Sequence, residues 1–388
     1  GLTTGMPDLD PLLDGRVSLS LDAARAAGAI EIRELAASTA TISVDGEGTL
    51  SGLPEALVPF DAAALLAAPA AFDGRIGISA TDLAPAAAIS DLPGLGGDLV
   101  TTVSGQAGFD LSSFDLTLSL QAEDLSTGRP DIDSLLRGGV SATFDAVRET
   151  GPVGLDRLQV SAEWIDVDLR GVIRGLPSAL VPLDYEAILQ TASFDGSAEI
   201  SSEDLFPLGP IAGLPGLSGA VKVDMDGTIA ADLETLDVEV SANGANLRTG
   251  IAAVDEYIGG GTVLSIDASR SDGSFEIRRG RFASPGLSAQ VEGAIGPRSG
   301  DLDASVRLED LGRIVEGFSG SATAELNASR SAGAPWQITS NVNGPGGMRV
   351  LADGTVSTGF ERVDLDITGR APLGLANTFI APQSLGGQ

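Results

Sequence analysis

Paired carboxylates are the groups in this sequence most able to do chemistry. Glu31-Ile32-Arg33-Glu34 and Asp301-Leu302-Asp303 each bring two acidic side chains close along the chain. Glycoside hydrolysis uses such pairs, one carboxyl donating a proton while the other activates water or attacks the sugar. Neither pair has the ligand spacing of a calcium loop. The chain has no Cys and no His, which removes thiol nucleophiles, the serine–histidine–aspartate triad and the usual zinc ligand sets. Gly259-Gly260-Gly261 could pass for a phosphate cradle, yet no Lys-Ser/Thr and no helix signature follow it. Its counterpart one repeat earlier is Arg137-Gly138-Gly139, so a turn between strands is the better reading. The carboxylates then read as solvated charges. The expectation is a protein that is not an enzyme and that needs no cofactor and no metal.

Charge narrows the partners. Asp and Glu number 54 against 23 Lys and Arg, a formal net charge of −31, and Lys222 is the single lysine. Without a basic stripe there is nothing to displace counterions, so no nucleic acid is expected. Adhesion to an anionic membrane surface is excluded on the same ground. Absence of Cys fits an oxidising compartment. The longest apolar stretch, Ala62 to Phe72, is broken by Pro69 and is shorter than a membrane span.

The elements that must position any site are strands. Apolar and polar residues alternate with period 2 along most of the chain. Val17, Leu19 and Leu21 alternate with Ser18, Ser20 and Asp22. Leu116, Leu118 and Leu120 alternate with Thr117, Ser119 and Gln121. The pattern returns at Val221, Val223 and Met225, at Leu236, Val238 and Val240, around Val306, and around Leu365. Leu158, Val160, Ala162 and Trp164 share one parity, and Ile165, Val167 and Leu169 take the other. That change of phase predicts a bulge near Trp164-Ile165. Helical signals are short: Asp61 before Ala62–Ala68, Ala84–Ile89, Asp184 before Tyr185–Gln190, and single turns at Asp10–Leu13 and Asp133–Leu136. Such strands have one dry and one wet face. The aliphatic faces are therefore either a packed core or the wall of a groove, and the pattern alone does not separate the two.

A long repeat decides the architecture. Gly52-Leu53-Pro54-Glu55-Ala56-Leu57-Val58-Pro59-Phe60-Asp61 returns as Gly175-Leu176-Pro177-Ser178-Ala179-Leu180-Val181-Pro182-Leu183-Asp184, 123 residues later. Phe72-Asp73-Gly74 and Leu92-Pro93-Gly94-Leu95 return after 122 residues, as Phe194-Asp195-Gly196 and Leu214-Pro215-Gly216-Leu217. One continuous repeat body over 1–388 is expected. It comprises the end of a repeat at 1–51, full repeats at 52–174 and 175–296, and a shortened, divergent repeat at 297–388. The array runs off both ends, as a segment of a longer protein would. The fold class expected is all-β with few short helices, a long curved sheet folded lengthwise into a trough with an apolar groove. Roughly 20 to 25 strands at about 4.8 Å each would make a body on the order of 100 Å long.

Thr368-Gly369-Arg370-Ala371-Pro372-Leu373-Gly374-Leu375-Ala376-Asn377, continuing to Ala381-Pro382-Gln383-Ser384-Leu385, resembles a segment of the TamB family. Ser305-Val306-Arg307-Leu308-Glu309-Asp310-Leu311 and the Leu-Pro-Gly-Leu motifs are similar to its AsmA-like body. The resemblance covers the whole chain in style and the last part in specific motifs. It implies a β-taco in the periplasm, within a parent protein anchored in the inner membrane. It also implies phospholipid acyl chains as cargo between the two membranes, and an Omp85-type outer-membrane partner reached through regions outside this segment. On that reading Val17, Leu19, Leu21, Leu116, Leu118, Leu120, Leu158, Val160, Val221, Val223, Met225, Leu236, Val238, Val240, Val306 and Leu365 line the groove. The alternative is a periplasmic scaffold or chaperone for outer-membrane β-barrel assembly, acting through exposed sheet edges. An adhesin-type solenoid would need short repeats and Asn or Asp ladders, which the sequence lacks.

Overall fold

The computed structural model describes residues 16–26, 28–53, 69–87, 92, 94–133, 136, 138–181, 184–313, 319–359 and 361–371. The chain is all-β. Its strands are antiparallel, with a few short helical pieces between them. Two compact units hold them: Gly1–Ser201 with Ala230–Asp232, and Ser202–Ile229 with Leu233–Gln388. The repeat borders expected at 52 and 175 fall within the first unit, and the one at 297 within the second.

In the first unit the strands run β1 (Ser18–Ala26), β2 (Ala29–Ser38), β3 (Ile42–Ser51), β4 (Ala71–Ala80), β5 (Leu95–Gly108), β6 (Phe114–Thr127), β7 (Gly139–Arg148), β8 (Val153–Ala162), β9 (Asp166–Arg174) and β10 (Ser193–Ser202). Each pairs antiparallel with the next. The second unit is built the same way. It runs β11 (Ser218–Ala230), β12 (Leu236–Arg248), β13 (Gly261–Ser271), β14 (Ser274–Ala283), β15 (Leu287–Ile295), β16 (Gly300–Leu308), β17 (Ala322–Arg330), β18 (Trp336–Gly344), β19 (Met348–Val356) and β20 (Val363–Arg370). Again each strand pairs with its successor. These are open meanders, in which period-2 alternation sends one set of side chains to each face.

Bulges interrupt the ladders, among them an extra residue at Asp156 on β8, opposite Asp145/Ala146 of β7, and one at Arg278 on β14, opposite Asp267/Ala268 of β13. An extra residue on one strand bends it and increases its twist, which curves the sheet. The bulge expected near Trp164-Ile165 is absent. A hairpin turn stands there, closed by the Ala162 N–H donating to the Ile165 carbonyl at 2.9 Å. The parity change is a chain reversal: Leu158 then faces Leu169, and Val160 faces Val167, across β8 and β9.

Glycine matters where strands approach most closely. Gly171 on β9 sits opposite Gly196 on β10, and a Cβ on either would lie 2.7 Å from the other's Cα. The ring of Phe194 covers the pair. Gly48 and Gly74, under Phe72, repeat the arrangement on β3 and β4. An aromatic side chain laid over a glycine pair restores the apolar contact that the glycines lack.

The main packed cluster is Ala146, Val153 and Leu155, with Phe114, Phe144, Leu158, Leu169, Ile173, Leu176 and Phe194 around it. Arg148 ends β7 beside this cluster and is 1 % exposed. Its guanidinium donates to the carbonyls of Gly151 at 3.0 Å, Leu111 at 3.1 Å and Pro177. One cation thus pins three separate loops at one end of the strands. In the second unit Tyr257 braces strand ends. Its hydroxyl donates to the Asp310 carbonyl at 3.2 Å, while the Ser284 hydroxyl donates to the Tyr257 carbonyl at 2.7 Å. Burial pushes the Tyr257 hydroxyl pKa up.

The helix expected after Asp184 is present as Tyr185–Thr191, and the Asp184 carboxylate accepts the Ala187 N–H at 3.0 Å. The 3-10 turn Ala84–Ala86 stands at the start of the expected Ala84–Ile89, of which residues 88 and 89 lie outside the described residues. The expected helices at Ala62–Ala68 and Asp10–Leu13 lie outside the described residues, as do residues 134 and 135 of the expected turn and most of the TamB-like stretch beyond Ala371.

Candidate functional site

The sequence-predicted lining residues fall into continuous rows across the strands. In the first unit the ladders align Leu21, Leu35, Gly46, Ile76, Val103, Leu118, Phe144, Leu158, Leu169 and Ala198. A second row carries Leu19, Ala37, Val44, Ile78, Thr101, Leu120, Ala142, Val160, Val167 and Ile200. Residues in register share a face, so each row is one band crossing ten strands, the first apolar throughout and the second interrupted by Thr101. Leu116 lies two residues from Leu118 on β6, between Gly105 and Ala146.

The second unit repeats this. Met225, Val240, Ile266, Gly280, Val291, Ala304, Leu326, Ser340, Ala352 and Ile367 form one row. Val223 begins another that passes through Ala242, Leu264, Phe282, Ala289, Val306, Ala324, Val342 and Val350. Val238 stands between Gly227 and Ala268, and Leu365 faces Gly354. Val221 pairs with Gly244 and Leu236 with Ile229. Val17 is half-buried and precedes the first residue of β1.

Exposure separates core from open face. Leu116, Leu118, Leu120, Leu158, Val160, Val221, Val223, Met225, Leu236, Val238, Val240 and Leu365 are all half-buried. Val306 is 37 % exposed, and Leu21 and Leu19 on β1 reach 59 % and 72 %. The fully buried apolar residues are mostly alanines. In a face-to-face sandwich the inward aliphatics would interdigitate and lose almost all contact with solvent. Here the large side chains keep part of their surface open and the small ones fill the floor.

The other face is polar. Asp224, Ser241, Ser265, Arg281, Gln290, Ser305, Glu325 and Asn341 share a row there. The paired carboxylates are part of this wet surface. Glu31 and Arg33 make an ion pair at 3.5 Å, and both are exposed. Asp301 and Asp303 are exposed on β16, and Asp303 accepts from the Asn327 amide. Arg278, at the bulge of β14, bridges Asp237 and Asp267, and these two carboxylates raise its pKa. Gly259-Gly260 leads directly into β13, as a turn.

Sequence reading missed the arginines. Arg148, Arg270 and Arg330 end runs whose other members are apolar: Ala142, Phe144, Ala146; Leu264, Ile266, Ala268; and Ala324, Leu326, Ala328. Register places Arg270 next to Leu236 and Phe275, and Arg330 next to Gly300. A charge on the apolar parity is the signal that could have found them.

Fold and face together define a class: open antiparallel repeat meanders with one polar face and one partly exposed aliphatic face. No family model, no curated protein and no solved structure matches the chain. Among the described residues, no helix is long and apolar enough to cross a membrane.

Proposed function

We propose that the aliphatic face is the wall of a conduit for phospholipid acyl chains, and that this chain is a segment of a periplasmic protein joining inner and outer membranes. The observation that carries the reading is the apolar row across ten strands from Leu21 to Ala198, whose larger side chains keep part of their surface open. An acyl chain needs continuity and gains about 0.8 kcal/mol for each CH₂ taken from water. It needs no polar selectivity along its length, and Val, Leu, Ile and Phe supply none. The resemblance to TamB supplies the compartment and the Omp85-type partner, which binds through regions outside this segment. No chemistry on the cargo is part of the reading.

The second reading, a scaffold for outer-membrane strands, draws on the outermost strands. Leu19 and Leu21 on β1, with Val363 and Ile367 on β20 at 60 % and 66 % exposure, offer apolar side chains beside strand edges. Photo-crosslinking side chains separate the two. Placed at Leu118 and Val240, they should capture lipid in the expressing cell. The neighbours of opposite parity, Thr117 and Glu239, should not. Equal capture at both parities would refute the conduit, and capture of unfolded outer-membrane protein at β1 would favour the scaffold.

A further inference from the structure

We propose that the second unit carries an open seat for an extended apolar peptide segment, built around Arg270, and that a partner polypeptide fills it as residues 175–181 fill the matching seat in the first unit. The inference stands apart from the conduit reading. In the first unit, residues 175–181 leave the end of β9 as a strap and cross to the β5–β6 turn. There the Leu180 and Val181 N–H groups donate to the Asp110 carbonyl at 2.9 and 3.2 Å. Leu176 packs on the cluster of Ala146, Val153 and Leu155. The next carbonyl, that of Pro177, accepts from Arg148, which also holds Leu111 and Gly151. With the strap in place Val153 is 4 % exposed, and Leu111 and Ile173 are half-buried.

The repeat builds the same framework in the second unit. Arg148, Leu111, Gly151, Val153 and Ile173 return 122 residues later as Arg270, Leu233, Gly273, Phe275 and Ile295. The turns return with them. Leu111 and Leu233 both take a left-handed φ, of 53° and 60°, and Gly151 and Gly273 take 81° and 71°. The strap does not return: residues 296–299 alone join β15 to β16, a tight turn closed by the Gly296 N–H on the Ser299 carbonyl at 2.8 Å. Residues matching those around the strap therefore stand open, Phe275 at 38 %, Ile295 at 40 % and Leu233 at 56 % exposure. Arg270 is half-buried, and among the described residues it has no hydrogen-bond or ion-pair partner. Its donors are not sealed from solvent as the Arg330 Nε is. An unspent guanidinium beside exposed large apolar side chains matches a backbone carbonyl and an aliphatic side chain presented together. Residues 175–181 present that combination to the same framework, with Leu176 next to the Pro177 carbonyl and no charged side chain. Proline also holds the residue before it extended. The partner is thus an uncharged, extended segment with a large aliphatic residue before a proline.

The test adds a synthetic peptide of residues 175–181 to the whole chain. Calorimetry reads the affinity, and an aromatic photo-crosslinking side chain in place of Phe275 reads the position. The peptide should bind and be captured there, and not from Glu276, the exposed neighbour of opposite parity. Arg270→Met should weaken binding by about tenfold or more, the worth of one hydrogen bond to a charged group. A peptide carrying Leu176→Asp should also bind at least about tenfold more weakly, since the carboxylate would have to leave water at an apolar seat. That comparison leaves the protein unchanged, so it stands even if Arg270→Met fails to fold. No binding of the peptide, or binding that neither substitution weakens, overturns the seat. Self-association of the chain that the peptide disrupts and Arg270→Met abolishes assigns the seat to a second copy and overturns the separate partner. Capture of lipid in place of peptide at Phe275 overturns the peptide seat and leaves the conduit standing.

Discussion

Placing charge in the middle of the rows separates an open wall from a closed core by magnitude. Val223 and Val238 lie on the apolar parity of neighbouring strands, and both are half-buried. Full burial of a Val is worth about 1.5 kcal/mol or a little more, so a partly open one contributes about 1 kcal/mol. Replacing both by Asp on an open face should therefore cost about 2 kcal/mol, because each carboxylate can turn to water. In a dry core each unpaired charge would add several kcal/mol and the unit would not fold. Denaturant titration and circular dichroism give the stability, and transfer of labelled phospholipid between vesicles gives the function. The expected result is a folded protein with lipid transfer lost. A double variant that unfolds refutes the open face, and one that folds and still transfers lipid refutes the conduit.

Arg148→Met keeps most of the side-chain volume and removes the donors to Gly151, Leu111 and Pro177. At about 1–3 kcal/mol for each orphaned acceptor that cannot fully rehydrate, the loss should be roughly 3 kcal/mol or more. Hydrogen exchange should quicken in the loops around Leu111, Gly151 and Pro177, and unchanged exchange there would show that the arginine does not hold them. The Asp133 and Asp255 carboxylates accept the backbone N–H of Thr127 and Thr249, each at 2.6 Å, and then the hydroxyls of the same residues at 2.8 and 2.7 Å. The backbone bonds first, and the hydroxyls second, hold both carboxyls below the usual Asp value. Their stabilisation should be complete above about pH 3.9 and vanish as pH falls through the lower folded values. The Thr127 and Thr249 amide resonances should titrate together below that point, and midpoints at or above it would contradict the assignment.

Much of the fold was legible in the residues because the period is so clean. Leu116, Leu118 and Leu120 declare both strand and face, and their counterparts after 122 residues, Val238, Val240 and Ala242, declare them again. The Trp164-Ile165 turn was misread because Glu163-Trp164-Ile165 contains no Gly, Asn or Pro to announce a reversal. A change of parity is common to bulges and tight hairpins, and only pairing tells them apart. The bulge at Asp156 on β8 did leave a mark, since Val153 and Leu155 have one parity and Leu158 and Val160 the other. Half-exposure of the aliphatic rows was not legible at all. Alternation says which side chains share a side, and nothing about what lies above them. The exposure of Leu19 and Leu21 likewise follows from the place of β1 in the sheet. The arginines were visible but looked like ordinary strand ends until register placed them on the apolar side.

The register rows also constrain how such a chain can change over time. Within each unit every strand runs antiparallel to its successor, so a hairpin inserted at a loop brings two strands and leaves the chain running in its former direction. Each row then gains two members and about 10 Å of run. A single strand inserted instead would deliver the next segment to the wrong end of the sheet, and a single residue inserted inside a strand would turn its aliphatic side outward. Length is thus inherited in units of a hairpin, while the interior of each strand is closed to insertions. That leaves the loops, apart from the three that Arg148 holds, as the places where relatives of different reach would part from one another.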